Sequence, residues 1–137
     1  MTTQVDDLIR THPRPSPIDE NTLIGIIDRI YQCANTCAAC ADACLGEEDP
    51  KAQVRCITSC QNCSEVCLTT ARALTRITGF NGDTIRLLVE ACEQICRICG
   101  DECEGHAAHM AHCRVCAEAC RTCADACRTF LQDLAAA

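Results

Sequence analysis

From residue 18 onward, buried-type positions recur every three or four residues in four stretches separated by polar breaks rich in Gly and Pro. The first stretch runs Leu23, Ile26, Ile30, Cys33, Cys37, Cys40, Cys44. The second runs Cys56, Cys60, Cys63, Cys67, Thr70, Leu74, Ile77. The third is Ile85, Val89, Cys92, Cys96, Cys99, Cys103, and the fourth is Cys113, Cys116, Cys120, Cys123, Cys127, Phe130, Leu134. This is the spacing of one helix face, the seam that a bundle buries. The pattern predicts an all-α, antiparallel, up-down-up-down four-helix bundle over residues 18–134. A short N-terminal extension, residues 1–17, precedes it, with amphipathic helical character at Val5, Leu8 and Ile9 and a Pro-rich linker.

Punctuation sets the expected boundaries. Ser16-Pro17-Ile18-Asp19 reads as a cap, a proline at the first helical position and an acid in the first turn. The first bundle helix then runs to about Leu45, with Gly46 as a left-handed cap. Asp49-Pro50 starts the second helix, which ends near Thr78. Asp83 caps the third, which stops near Glu104 before Gly105. The fourth starts within 106–108 and ends near Leu134. Short connections make sequential helices antiparallel neighbours.

That topology gathers the Leu, Ile, Val and Phe seam positions at one end as an apolar plug. The other end is polar. Running the fourth seam backwards from Cys113 reaches His109 and then His106; Glu47 lies beyond Cys44 and Gln53 before Cys56. His106 and His109 are therefore candidate metal ligands at an open mouth. His112 falls off the seam toward its flank and is left out. Met110 is read as packing, Glu47, Glu48 and Asp49 as a solvated turn and cap, and His12 as exposed.

Composition narrows the chemistry. Seventeen of 137 residues are Cys, a density that ordinarily marks a disulfide scaffold. Three features argue against that. The N-terminal residues lack an export-signal pattern, so a cytoplasmic location with reduced thiols is expected. The count is odd. Helical neighbours at i,i+3 or i,i+4 have Cβ atoms about 5–6 Å apart, against about 3.8 Å in a disulfide. A net charge of −7 with three aromatic residues excludes a nucleic-acid surface, and no apolar run reaches the length of a membrane span.

All seventeen cysteines are candidate metal ligands. Soft thiolates select Cu(I), Zn(II) or iron–sulfur clusters. Iron–sulfur sites use loop-like spacings that are absent here, and no βαβ pattern surrounds the CxxC pairs, which argues against thioredoxin-type catalysis. A zinc ion on four thiolates leaves about two negative charges to bury. Cu(I) at roughly one ion per Cys leaves the interior near neutrality. The reading is thus a non-enzymatic store of many Cu(I) ions. A thiol redox buffer and a zinc store are the alternatives.

The runs CANTCAACADAC, CITSCQNCSEVC and CEQICRICGDEC, and the longer CRVCAEACRTCADAC, closely resemble the bacterial copper storage proteins over residues 18–134. The resemblance implies inward-pointing cysteines holding many Cu(I) ions, a homotetramer, copper donor or acceptor proteins as partners, and membership of the cytosolic branch. It also places histidines, here His106 and His109, at the copper entrance.

Overall fold

The computed structural model describes residues 2–136. Among them are five α-helices and no strand: α1 (Gln4–Arg10), α2 (Glu20–Leu45), α3 (Val54–Leu74), α4 (Gly82–Glu104) and α5 (Ala111–Ala136), with a 3-10 turn at Pro50–Gln53 before α3. Helices α2 to α5 form the predicted four-helix bundle. Each packs on two neighbours, most closely within the hairpins α2–α3 and α4–α5. No helix among the described residues is long and apolar enough to cross a membrane.

Several boundaries differ from expectation for local reasons. The cap of α2 is Asp19, whose carboxylate accepts from the Thr22 amide at 3.0 Å. Ser16 instead closes a turn on Ile18. Asn81, rather than Asp83, caps α4 through the Thr84 amide at 2.9 Å. Asp49 makes no side-chain cap, and Pro50 opens the tighter 3-10 turn. Helix α3 ends at Leu74, although Ile77 beyond it is still buried. Gly46 is right-handed at φ −84°, so α2 ends by tightening onto Ala43 and Asp42 carbonyls, not by a left-handed cap. Helix α5 begins at Ala111, after a run of turns that contains His106 and His109.

The apolar plug forms as the seams require. Leu23, Ile27, Ile30, Leu74 and Val89 are fully buried, with Ile85 and Phe130 beside them. Thr70 is buried among them, and its hydroxyl donates to the Val66 carbonyl at 2.8 Å. Toward the middle of the bundle the helices approach closely. Gly100 on α4 is one cause: a Cβ there would lie 3.4 Å from the Cys120 Cβ of α5. The Ser64 hydroxyl donates to the Ala34 carbonyl at 2.8 Å and pins α3 to α2.

Helix α1 is held by Ile9, which joins the core, and by a capping box between Thr3 and Asp6. Arg10 meets Glu20 at 3.0 Å. Asp6 is only 4% exposed. One of its carboxylate oxygens accepts from the Thr3 amide; the other has no partner unless the Asp28 carboxyl carries a proton. Burial, then the hydrogen bond to Asp6 and its charge, push Asp28 up to about 6. Burial also works to raise Asp6, but the Thr3 amide, Asp28 and Arg10 outweigh it and hold that carboxyl below its ordinary value.

Two outcomes follow from this packing. Leu74→Ala leaves a cavity in the plug and lowers the stability of the reduced, metal-free protein by about 2–5 kcal/mol in urea unfolding, starting from a helical far-UV spectrum. Asp28, raised in the folded state, contributes stability that is full below its ordinary value and lost as pH rises through about 6. Amide exchange of α1, corrected for intrinsic rates, should therefore quicken between about pH 4 and pH 6, and Asp28→Asn should abolish that step.

Candidate metal centre

The three- and four-residue steps place every Cys side chain of α2 to α5 on the inward face, and all seventeen thiols are free and buried. Sulfurs from different helices then meet along the bundle axis. Cys37 lies 3.5 Å from Cys120 and 3.7 Å from Cys116 across α2 and α5. Across α3 and α4, Cys67 lies 3.6 Å from Cys96 and 3.7 Å from Cys92. Cys44 and Cys56 are 3.8 Å apart between α2 and α3. The diagonals close as well, with Cys33 to Cys96 at 3.8 Å and Cys60 to Cys116 at 3.8 Å. None of these is a covalent S–S distance, which is about 2.05 Å.

These separations suit metal ions. A metal–sulfur bond of about 2.3 Å sets sulfurs about 3.8 Å apart in a tetrahedral site and about 4.0 Å apart in a trigonal one. Sulfurs converge to within 4.8 Å of one another in the groups Cys33-Cys63-Cys67-Cys96, Cys33-Cys37-Cys63-Cys120, Cys37-Cys99-Cys116-Cys120 and Cys40-Cys60-Cys103-Cys116. Successive groups share members: Cys33 and Cys63, then Cys37 and Cys120, then Cys116. The interior is a ladder of overlapping sulfur clusters, not a set of separate four-ligand sites. Cys92, Cys123 and Cys127 continue it toward the plug, and Cys56, Cys103 and Cys113 toward the other end.

The apo ladder shares protons. Thiol donors from Cys120, Cys123 and Cys37 hold Cys33 well below its ordinary value. Donors from Cys103 and Cys116 do the same for Cys40. The neighbours that give up those hydrogen bonds, Cys37 and Cys96 among them, are pushed up. Burial, the largest cause at Cys44, pushes it up to about 12. A thiolate here is stabilised by surrounding S–H groups, so few protons leave until a cation replaces them.

The end away from the plug departs from expectation. His106 and His109 do not continue the α5 seam, because α5 starts beyond them. His106 Nε2 instead pairs with Glu102 at 3.1 Å, and His109 is exposed. The histidine that reaches the thiols is His112, in the first turn of α5. Its Nδ1 lies 3.5 Å from Cys40 Sγ and 3.6 Å from Cys113 Sγ, and its Nε2 lies 2.9 Å from Glu47. Cys40, Cys44, His112 and Cys113 form a fifth convergent group. Cys40, then Glu47, raise the His112 pKa against the opposing effect of burial. The signal for His112 was its place directly before Cys113; the flank of α5 that carries it packs toward α2, where it meets Cys40. Met110 sits against Cys113, with its sulfur 3.9 Å from Cys113 Sγ, and the outermost thiols Cys44, Cys56, Cys103 and Cys113 are buried at this end.

A model of the copper storage protein family matches residues 19–132. The copper storage protein of Streptomyces lividans, in a structure loaded with 10 copper equivalents, is 43% identical to this chain. That match covers 93% of this chain and 98% of the other, with a TM-score of 0.89. A structure of copper loading to a cytosolic copper storage protein from the same organism, with five coppers, is also 43% identical; it covers 82% of this chain and 93% of that one, with a TM-score of 0.80. An uncharacterised cysteine-rich protein of Bacillus subtilis, YhjQ, is 32% identical over 93 residues, which is 68% of this chain and 81% of that protein. With its thiol ladder and a family match over nearly the whole bundle, the chain belongs to the copper storage protein family.

Proposed function

We propose that this chain stores many Cu(I) ions, at roughly one per Cys, on the inward-facing thiolates of its bundle, residues 18–134. The observation that carries this is the overlap of the sulfur groups, in which Cys33, Cys37, Cys40, Cys63, Cys116 and Cys120 each belong to two. Shared sulfur suits bridging thiolates between monovalent ions. It does not suit zinc, because separate four-thiolate sites would need ligands of their own and would bury about two negative charges each. Family membership and the copper-loaded relatives support the same reading. They favour storage over enzymatic turnover and over a thiol redox buffer. The cytosolic relative supports a cytoplasmic location, and the family resemblance extends the reading to a homotetramer that exchanges copper with donor or acceptor proteins.

The ligand set we propose is the seventeen cysteines with His112. His106 and His109 fit a role outside the ladder, where His106 is bound to Glu102 and His109 faces solvent.

Anaerobic titration of reduced protein with Cu(I) against a competing chelator tests the reading. We expect uptake to continue to about one ion per thiol, with roughly one proton released per ion in weak buffer. Saturation near four ions would mark discrete zinc-like sites and overturn it. His112→Ala should weaken about one equivalent, the one at Cys40, Cys44 and Cys113, in the same competition assay. His106→Ala combined with His109→Ala should leave both capacity and affinity unchanged.

A further inference from the structure

Three acids stand in the turn after α2, and they do not behave alike. Glu48 and Asp49 are exposed, whereas Glu47 is half-buried. Glu47 lies three residues beyond Cys44, which itself lies four beyond Cys40, so the α2 thiol seam ends on a carboxylate. The Glu47 amide donates to the Cys44 carbonyl at 3.3 Å, which fixes the turn beside the outer thiols. Its side chain reaches across to α5, where Oε1 stands 2.9 Å from His112 Nε2. On the opposite edge of that ring, Nδ1 stands 3.5 Å from Cys40 Sγ and 3.6 Å from Cys113 Sγ.

We propose that Glu47 is a positioning residue for copper capture by the outer group of Cys40, Cys44, His112 and Cys113. The inference rests on the storage reading, with His112 as a ligand. A carboxylate only accepts hydrogen bonds, so the Nε2 beside it carries a proton. In a neutral ring the lone pair is then on Nδ1, the nitrogen that faces the two sulfurs. Glu47 thereby selects the tautomer that binds copper and holds that atom toward the thiols. The bond also makes Nδ1 the stronger donor, because a carboxylate at Nε2–H raises the basicity of the ring. Glu47 is not itself a ligand in this arrangement. Carboxylate oxygen suits hard cations such as Mg(II) and Ca(II), whereas Cu(I) takes softer sulfur and nitrogen.

All four ligands of the outer group come from α2 and α5, and the bond from Glu47 to His112 joins those same two segments. On capture, sulfur replaces its proton with copper and Nδ1 supplies its lone pair. Nε2 keeps its proton on the Glu47 side, and copper stays Cu(I). Without the carboxylate, the ring is free to carry its proton on Nδ1 or to turn that edge away. Either change withdraws the nitrogen from the group.

The test follows the His112 ring in reduced full-length protein, isotopically labelled at histidine nitrogen, loaded with Cu(I) and then stripped stepwise by a competing chelator. Long-range proton–nitrogen NMR spectra distinguish the two ring nitrogens. In the wild-type protein copper should move the Nδ1 resonance while Nε2 keeps its proton. Glu47→Ala should lower the chelator concentration that reverses the Nδ1 shift about tenfold. Glu47→Gln keeps an acceptor oxygen without the charge and should restore most of that loss. Glu48→Ala removes the same charge from the same turn and should behave as wild type. In a His112→Ala background, Glu47→Ala should cost nothing further in total copper competition. Copper on Nε2, an unchanged reversal in Glu47→Ala, a Gln variant as weak as the Ala variant, an equal loss in Glu48→Ala, or an additive loss in the double variant overturns the proposal. Failure of the wild-type protein to take up copper overturns the storage reading instead. Uptake that moves neither nitrogen removes His112 from the ligand set, and the role of Glu47 with it.

Discussion

The structure depends on holding seventeen thiols close enough to share metal ions and too far apart to bond to each other. The α-helix does this along each chain segment. Residues one turn apart have Cβ atoms about 5–6 Å apart, beyond disulfide reach. Between helices the bundle brings sulfurs to 3.5 Å at Cys37 and Cys120 and 3.8 Å at Cys44 and Cys56, still far outside a covalent bond. Close helix approach, aided by Gly100 against Cys120 and by the Ser64 bond to Ala34, sets those distances.

A core of thiols gives up part of the burial free energy that leucine would supply in the same seams. The plug compensates. Leu23, Ile27, Ile30, Leu74 and Val89 concentrate the large apolar side chains at one end, and α1 adds Ile9 to that core. Free Cys still behaves as a small hydrophobe, so the thiols are buried and packed before any ion arrives. The fold is thus anchored by ordinary hydrophobic contacts where no metal chemistry occurs, and the thiol zone is free to exchange protons for cations.

That exchange is what makes a monovalent ion suitable. The protonated ladder is neutral, and where a proton leaves, as at Cys33, the neighbours' S–H groups stabilise the thiolate. One Cu(I) for each proton keeps it neutral, which a buried site requires. At the outer end the pattern changes. His112 and Glu47 bring a nitrogen ligand and a carboxylate to Cys40 and Cys113, where the ladder nears solvent.

The sequence alone determined the four helices, their antiparallel order, the inward face of all seventeen cysteines and the family. Each of these rests on a period of three and four residues, which local backbone geometry converts directly into a face. The ends of the helices were less legible. Asp19 and Asn81 won the caps from Ser16 and Asp83 through single side-chain-to-amide bonds, a competition that residue type leaves open. The histidines were decided by tertiary structure. His106 and His109 fit the seam only if the helix begins before them; turns from Gly105 to His109 delay α5 to Ala111, while the packing of α5 on α2 brings His112, on the flank, to Cys40. The reach of His112 to Cys40 and Glu47, and the burial of the outermost thiols, depend on how the helices meet at that end. Those are contacts between distant segments, and no period along one helix encodes them.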